Sequence, residues 1–597
     1  MGLGTAVGIT ASGLKVTQSA TSLVSANIAG ASTDGYTAKR STTQAIYAGT
    51  GLIGFTTTVS RAFDQEVFDQ LSTSTSTSSF LQAKNGYLDQ INSLIGSTEN
   101  GAALPTVLAT FTTDLQTLAA QPSNAAAQIQ ASNSANVVAQ TLNSLSSTVG
   151  DIQKSVDEAI SDGVSQINTL TAEISDINQK IQRSSGSGSD TTGLMDQRDQ
   201  AVLKLATLLD VNVKQQSDGT VRLSTGSGLT LVDNSQATQL KLDDNGRLRV
   251  DDGSNNGAEV IGSGLVASGS MAGLFEVRDT VLPQVQNQLD QIAAGLSTAM
   301  SDTTTAGTAV TSGSAKGFDL DLADLAAGNK VTLNWTDTAT GQTHTVSLIK
   351  GNSSAIGSIG DDATLDPNDH VVGIDFSGGM SSVVSQIQAA LGSNFAVSNT
   401  SGSTLRVLDD GTGAVSIGSA SKTVSATAEK TGATALPLFT DGTGYYTGSF
   451  DGGSQMSGYA SRIRLNAAVA SDPSLMVNYS STTQSGDSAR PQALYSALVD
   501  TKSATVLGNG TKANQSTVAG FANSMVSYWA GQADTQQTLV DNQSVIQSNL
   551  RSRMSSTSAV DTDTELTKLI QLQNYYSANA QVLSTLRDML NTLVNAI

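Results

Sequence analysis

The chain has 597 residues, with 51 acidic and 31 basic side chains, a formal net charge of −20 and no cysteine. Its pI near 4.4 and mean hydropathy of −0.08 argue against a nucleic-acid partner and an anionic membrane surface, and no Lys/Arg stripe offsets the acidic field. The missing cysteine rules out a disulfide framework, thiolate metal sites and cysteine nucleophiles, and no run of about 18 apolar residues predicts a spanning helix.

The length predicts three or four domains. The start, "MGLGTAVGITASGLKV", lacks the cationic head and apolar core of a cleaved signal peptide, so any export is expected to use another route. Residues 3–29 place Leu3, Val7, Leu14, Leu23, Val24 and Ile28 at helical spacing. Gly4, Gly8 and Gly13 each cost that helix roughly 1 kcal/mol against alanine, so it is expected to need a partner. Gly30 is expected to supply a left-handed stop, with Asp34-Gly35 as the turn beyond it. Residues 41–63 alternate loosely and predict short extended pieces.

From 64 to 210 the period is helical. Leu81, Leu88, Ile91 and Ile95 mark one helix. Val149, Ile152, Val156, Ile160, Ile167, Leu170, Ile174, Ile177 and Ile181 mark a long, partly coiled-coil-like one, ended by the flexible link at 184–190. A further helix follows, with Leu194, Met195, Val202, Leu205 and Leu209 on its core face. Asp218-Gly219 and Asn245-Gly246, each between alternating apolar residues, predict hairpins. Helical spacing returns over 273–300, where Pro283 is expected to kink the helix or sit near its start. Residues 303–475 are rich in Gly, Ser, Thr and Asp with period-2 pieces, an inserted β-rich domain. Helices are expected from Ala489 to Leu550. At the end Leu569, Leu572, Tyr576, Leu583, Leu586, Leu590, Leu593 and Ile597 form a heptad seam broken at Asn579.

The expected class is therefore α+β and multidomain. Residues 1–63 with 556–597 form a terminal coiled-coil-like helical domain and linker. Residues 64–302 with 476–555 form a long-helix bundle carrying β-hairpins over 211–270. Residues 303–475 form the inserted β-rich outer domain.

No catalytic constellation emerges. His344 and His370 stand alone on β segments and read as structural or exposed. The Asp/Asn-rich pieces "LDDNGRLRVDDG" and "DDATLDPNDH" lack the ligand order of a calcium loop and read as turns. No catalytic, cofactor or metal residue is assigned. The charges of "DQRDQ" (196–200) read as a solvated helix face with internal pairing, or else as a contact between copies. The terminal helices are the candidate assembly interface. Two packed helices cannot cover both apolar stripes, so Leu3, Val7, Leu14, Leu23, Asn27, Ile28, Gly35, Tyr36 and the eight seam residues are expected to meet each other and neighbouring copies. Lys39-Arg40 joins Tyr36 as a candidate contact with neighbours.

Three stretches resemble flagellar axial proteins. "NIAGASTDGYTAKR" is similar to the signature Asn-Ile-Ala-Asn-x-x-Thr-x-Gly-Tyr of that family, here Asn27, Ile28, Ala29, Thr33, Gly35 and Tyr36, with Gly30 and Asp34 departing from it. "LIQLQNYYSANAQVLSTLRDMLNTL" is similar to the axial C-terminal helix. "LMDQRDQAVLKLATLLDVNVKQQSDGTVRL", with the helix near 273–296, resembles the junction branch between hook and filament. The resemblance implies a non-enzymatic adaptor: a homo-oligomeric ring-like layer, with hook protein below, a second junction protein above and a cytoplasmic export chaperone on the C-terminal region. It also implies extracellular placement in the flagellum through type III export. A flagellin-like filament subunit and a secreted adhesin or surface enzyme acting through the β insert are the alternatives.

Overall fold

A computed structural model of the chain describes residues 2–48, 51–96, 103–187, 189–254, 257–364, 369–501, 503–507 and 513–595. It is α+β and divides into two compact units, residues 1–86, 156–277 and 535–597 in one and 87–155 with 278–534 in the other.

In the first unit, helix α1 (Leu3–Gly30) packs along α12 (Thr562–Asn595). Strands β1 (Lys39–Ala48) and β2 (Gly51–Arg61) replace the short extended pieces expected over 41–63. They form one long antiparallel hairpin from Lys39–Arg61 to Ala48–Gly51, because its Thr-rich and β-branched residues favour a pleated ribbon. Helices α2 (Gln65–Gly96), α4 (Ala125–Gly186) and α11 (Val518–Ser558) supply residues to both units. The α4 helix has 62 residues, starting well before the coiled-coil-like pattern because its first turns are alanine-rich. Val156, Ile160, Ile167, Ile174, Ile177 and Ile181 are buried as their spacing predicts, while Leu170 is half-buried.

Helix α5 (Thr192–Leu208) leads into β3 (Asn212–Gln215), β4 (Val221–Ser224), β5 (Thr230–Asp233) and β6 (Gln236–Ala237), then the pair β7 (Leu240–Leu242) and β8 (Leu248–Val250). Gly219 and Gly246 adopt φ of +84° and +70°, the left-handed backbone that the two turns require. Two α4 asparagines complete these strands. Asn178 donates to Val221 O at 2.8 Å and accepts from Val221 N at 3.1 Å, and Asn168 makes the same pair of bonds with Leu240, both at 2.8 Å. Each carboxamide stands in for a strand neighbour and satisfies an edge that would otherwise be orphaned. Helix α6 (Ser270–Glu276) ends the unit's middle segment and is followed by a π-helical turn, Val277–Val281.

Beside its share of α2, the second unit contains α3 (Leu104–Ala120) and α7 (Leu282–Ser301). Pro283 follows directly on the π-helical turn, whose last residue Val281 is already in the αR conformation, and it has no N–H to donate back into that turn. The β-rich segment builds two sheets. One runs β10 (Thr308–Ser312), β11 (Ala315–Asp321), β16 (Thr404–Asp409), β15 (Phe395–Ser401). The other runs β14 (Asp369–Asp375), β13 (Thr343–Gly351), β12 (Lys330–Asp337), β17 (Val415–Ser425), β9 (Asp302–Ala306). Leu333, Val346, Ile374, Leu405 and Val407 share one core with Val383 and Ile387 of α8 (Gly379–Leu391). A three-stranded sheet of β19 (Gly444–Tyr445), β18 (Phe439–Asp441) and β20 (Ile463–Leu465), then α9 (Ala467–Ser471) and α10 (Ala489–Val499), complete the unit with one more pair. That pair, β21 (Ser503–Val506) and β22 (Ala513–Ser516), adds two strands between the helices expected over 489–550. Its Ser- and Thr-containing strands interrupt the helical period between α10 and α11.

Buried polar groups lock this unit. Arg490, with no measurable exposure, donates to six backbone carbonyls: Glu429, Ala433, Thr434, Ala435, Leu475 and Asn478. Burial lowers its pKa to about 10. His344 stacks on Trp335 with centroids 4.3 Å apart, and exposed His370 lies 3.0 Å from Asp361.

Candidate functional site

The residues after α1 turn the chain through a buried joint. Gly30 is the last helical residue and does not take the left-handed stop; Gly35 does, with φ +73°. What Gly30 provides is space. A Cβ there would stand 2.7 Å from the Tyr36 ring, so only glycine lets the ring fold back onto the helix end. Tyr36 then donates its hydroxyl to Asn27 Oδ1 at 3.0 Å.

Asn27 is fully buried and uses its whole carboxamide. Its Oδ1 also accepts from Lys39 N at 2.9 Å, while Nδ2 donates to Lys39 O at 2.8 Å and to Glu565 Oε2 at 3.1 Å. One side chain therefore ties the end of α1, the first residue of β1 and the first turn of α12. Ala38 N adds a bond to Ser558 O at 2.7 Å, just before α12.

The "DQRDQ" block supplies the other half of the joint, correcting its reading as a solvated face. Asp196, Arg198 and Asp199 are 6%, 1% and 7% exposed. Asp196 pairs with Lys39, accepts from Thr37 Oγ1 at 2.7 Å and receives Arg61 Nη1 at 3.0 Å; Arg61 also reaches Asp199 at 2.7 Å. Arg198 donates to Asp199 at 2.8 Å and to Gly219 O at 2.8 Å. Lys39, expected to face neighbours, is thus spent inside the chain, while Arg40 stays exposed. Burial lowers the Lys39 pKa against the opposing pull of Asp196, and burial together with Asp196 and Glu565 raises that of Tyr36. The signal in the sequence was two carboxylates at i and i+3 on one helix face. Such a pair repels unless cations arrive from elsewhere.

Beyond the joint, α1 and α12 lie together. Leu3, Val7, Leu14, Leu23 and Ile28 are half-buried, as are Leu569, Leu572, Leu583, Leu586 and Leu590. Asn579, the break in the seam, faces Gly13, whose added Cβ would meet the carboxamide at 3.7 Å. Tyr576 and Leu593 are exposed, and Ile597 lies outside the described residues. A second set of α12 side chains, Leu566, Ile570, Tyr575, Val582 and Met589, is also exposed, the last three at heptad spacing. Among the described residues no group of three His, Cys, Asp or Glu is placed to hold a metal, and no helix is long and apolar enough to cross a membrane.

Residues 551–596, which include all of α12, match the family model for the C-terminal segment of flagellar basal body rod proteins, which marks an axial protein of the flagellum. Residues 88–320 match the model of the flagellar hook-associated protein FlgK helical domain. Flagellar hook-associated protein 1 of Salmonella typhimurium is 26% identical over 98% of both chains. The protein of that name from Escherichia coli K12 is likewise 26% identical over 98% of both. The flagellar hook junction protein FlgK of Burkholderia pseudomallei aligns with 82% of this chain and all of its own, at 15% identity and a TM-score of 0.47. Along 98% of its length the chain is similar to flagellar hook-associated protein 1, a structural protein of the flagellum.

Proposed function

We propose that the chain is a structural adaptor layer of the bacterial flagellum, without enzymatic activity, that joins hook to filament by packing its paired terminal helices against those of neighbouring copies. The observation that carries this reading is the double character of α12. One stripe is half-buried along α1, while Tyr575, Val582 and Met589 leave a second apolar stripe uncovered, and Leu566 and Ile570 stand exposed on the opposite side of the helix. Exposed apolar surface of that extent on one helix is expected to be buried by a partner. Neighbouring copies in a ring-like layer, the hook protein and a second junction protein are the partners of this reading. A cytoplasmic chaperone covers the C-terminal region before export through the type III route. In the layer, the α1–α12 pair forms the inner wall.

Deleting residues 566–597 tests it. The remaining chain should be soluble and folded, yet cells making only that chain should carry hooks without filaments and fail to swim. Normal swimming with filaments attached would overturn the adaptor role.

A further inference from the structure

A cavity of the second unit, about 940 Å3, lies over one face of the five-stranded sheet. The register builds that face from hydroxyls. Thr332 pairs with Ser347 on one side and Ser421 on the other, and Thr345 pairs with Asp369. Directly opposed residues share a face, so these side chains form one polar floor.

Two floor residues are incompletely satisfied. Ser347 is wholly buried and Asp369 is 5% exposed, yet neither Ser347 Oγ nor Asp369 Oδ1 has a hydrogen-bond partner. The other Asp369 oxygen receives only Thr364 Oγ1, at 3.3 Å. A buried polar atom left unpaired costs about 1–3 kcal/mol, and these two are closed to a water-sized group, so the floor meets an occupant through the half-buried hydroxyls of Thr332, Thr345 and Ser421. The charged residues around the cavity are Asp302, Asp369 and Asp500 against Lys330, which disfavours an anion. Its size exceeds what a single ion fills and lies in the range of organic-ligand sites. Phe450, half-buried in the wall, adds a ring face of the kind that packs against the C–H surface of a sugar.

We infer that this cavity binds a neutral, hydroxyl-rich ligand of the oligosaccharide class, with ligand hydroxyls meeting those of Thr332, Thr345 and Ser421. The site is separate from the joint of the chain ends, so it would add a glycan contact to a structural subunit.

The full chain is titrated with maltotriose, cellotriose and chitotriose, by calorimetry and saturation-transfer NMR. At least one should bind with a Kd of about 1 mM or tighter. Thr332→Val should weaken that binding about fivefold, the worth of one hydrogen bond. Phe450→Ala, at a half-exposed wall position where folding is not at stake, should weaken it as well. Melting curves establish that each variant is folded. The inference is overturned if none of the three sugars binds at about 10 mM, leaving a water-filled cavity, or if both folded variants bind as the unaltered chain does.

Discussion

Asn27 and Glu565 stand 538 positions apart, and the Asn27 carboxamide donates to Glu565 Oε2 at 3.1 Å in a buried site. Glu565 occupies the first turn of α12, where a carboxylate also meets the positive end of the helix dipole, and Lys568 approaches it at 2.6 Å. The end of one terminal helix and the start of the other are thus fixed at a single point. The direction in which both run away from the joint follows from it.

Asn27→Ala removes all four bonds of that carboxamide and leaves Lys39 N, Lys39 O and Glu565 short of partners. The cost to the joint is about 3 kcal/mol. Hydrogen exchange read by mass spectrometry should show residues 3–30 and 562–590 losing protection, with the 156–181 stretch of α4 unchanged. Unaltered protection at both ends would mean that the joint does not hold them.

Asp196→Ala strands Lys39 and half of the Arg61 contact without a counter-charge, which costs about 3–5 kcal/mol for a buried pair. Lys39 already has a lowered pKa through burial, and losing Asp196 lowers it further. An unfolded lysine then holds its proton where the folded one has released it. Stability of the variant should therefore recover as pH rises from the folded pKa toward 10.5. The double variant Asp196→Leu with Lys39→Met should be more stable than Asp196→Ala at neutral pH in denaturant titrations. Equal instability of the two would show that the charge pair is not the source.

Much of the architecture was legible because its cause was local. The two hairpins follow from Gly219 and Gly246, whose left-handed backbone the flanking alternation demands. The long helix follows from isoleucines at three- and four-residue steps. The joint was not legible, because the partners of Asp196 are Lys39 and Arg61, 157 and 135 positions away. Without them, charges in a helix read as surface. The signature around Asn27 and Tyr36 marked the place of the joint through resemblance, but Gly30 was misread for a related reason. Its role depends on a ring six residues later folding back, which no turn rule contains. The pair β21–β22 was missed because two four-residue strands give too short a period to stand against the long helices around them.

Tyr446 and Tyr459 set an alkaline limit on the second unit. Their rings stack at 4.3 Å, Tyr459 Oη lies 2.6 Å from Ser297 Oγ, and burial raises both phenols well above 10.0. Above pH 10 the unfolded tyrosines lose protons that the folded ones keep, so stability falls as pH rises, by about 1.4 kcal/mol per pH unit for each. Tyr459→Phe should reduce that slope by one proton's worth while costing about 1 kcal/mol at pH 7 for the lost bond to Ser297. Denaturant midpoints between pH 9 and 11 measure both; an unchanged slope would place the tyrosine elsewhere in the pH response.

Two glycines of α1 separate space-making from mere helix weakness. Alanine at Gly8 meets nothing within 4 Å, so Gly8→Ala should strengthen the helix by about 1 kcal/mol in the free chain. Alanine at Gly30 would meet the Tyr36 ring at 2.7 Å, so the same propensity gain is overridden and the Tyr36–Asn27 bond is broken. Gly30→Ala should therefore lower protection of residues 3–30, and adding Tyr36→Ala should not lower it further, because the two changes damage one contact. The Gly8 variant carries the sharper consequence for assembly. If neighbouring copies approach α1 closely along its uncovered glycine face, Gly8→Ala will stabilise the isolated chain and yet impair incorporation into flagella. A variant that is both more stable and fully incorporated would show that this face stays open in the assembled layer, and that the uncovered stripe of α12 alone makes the contact.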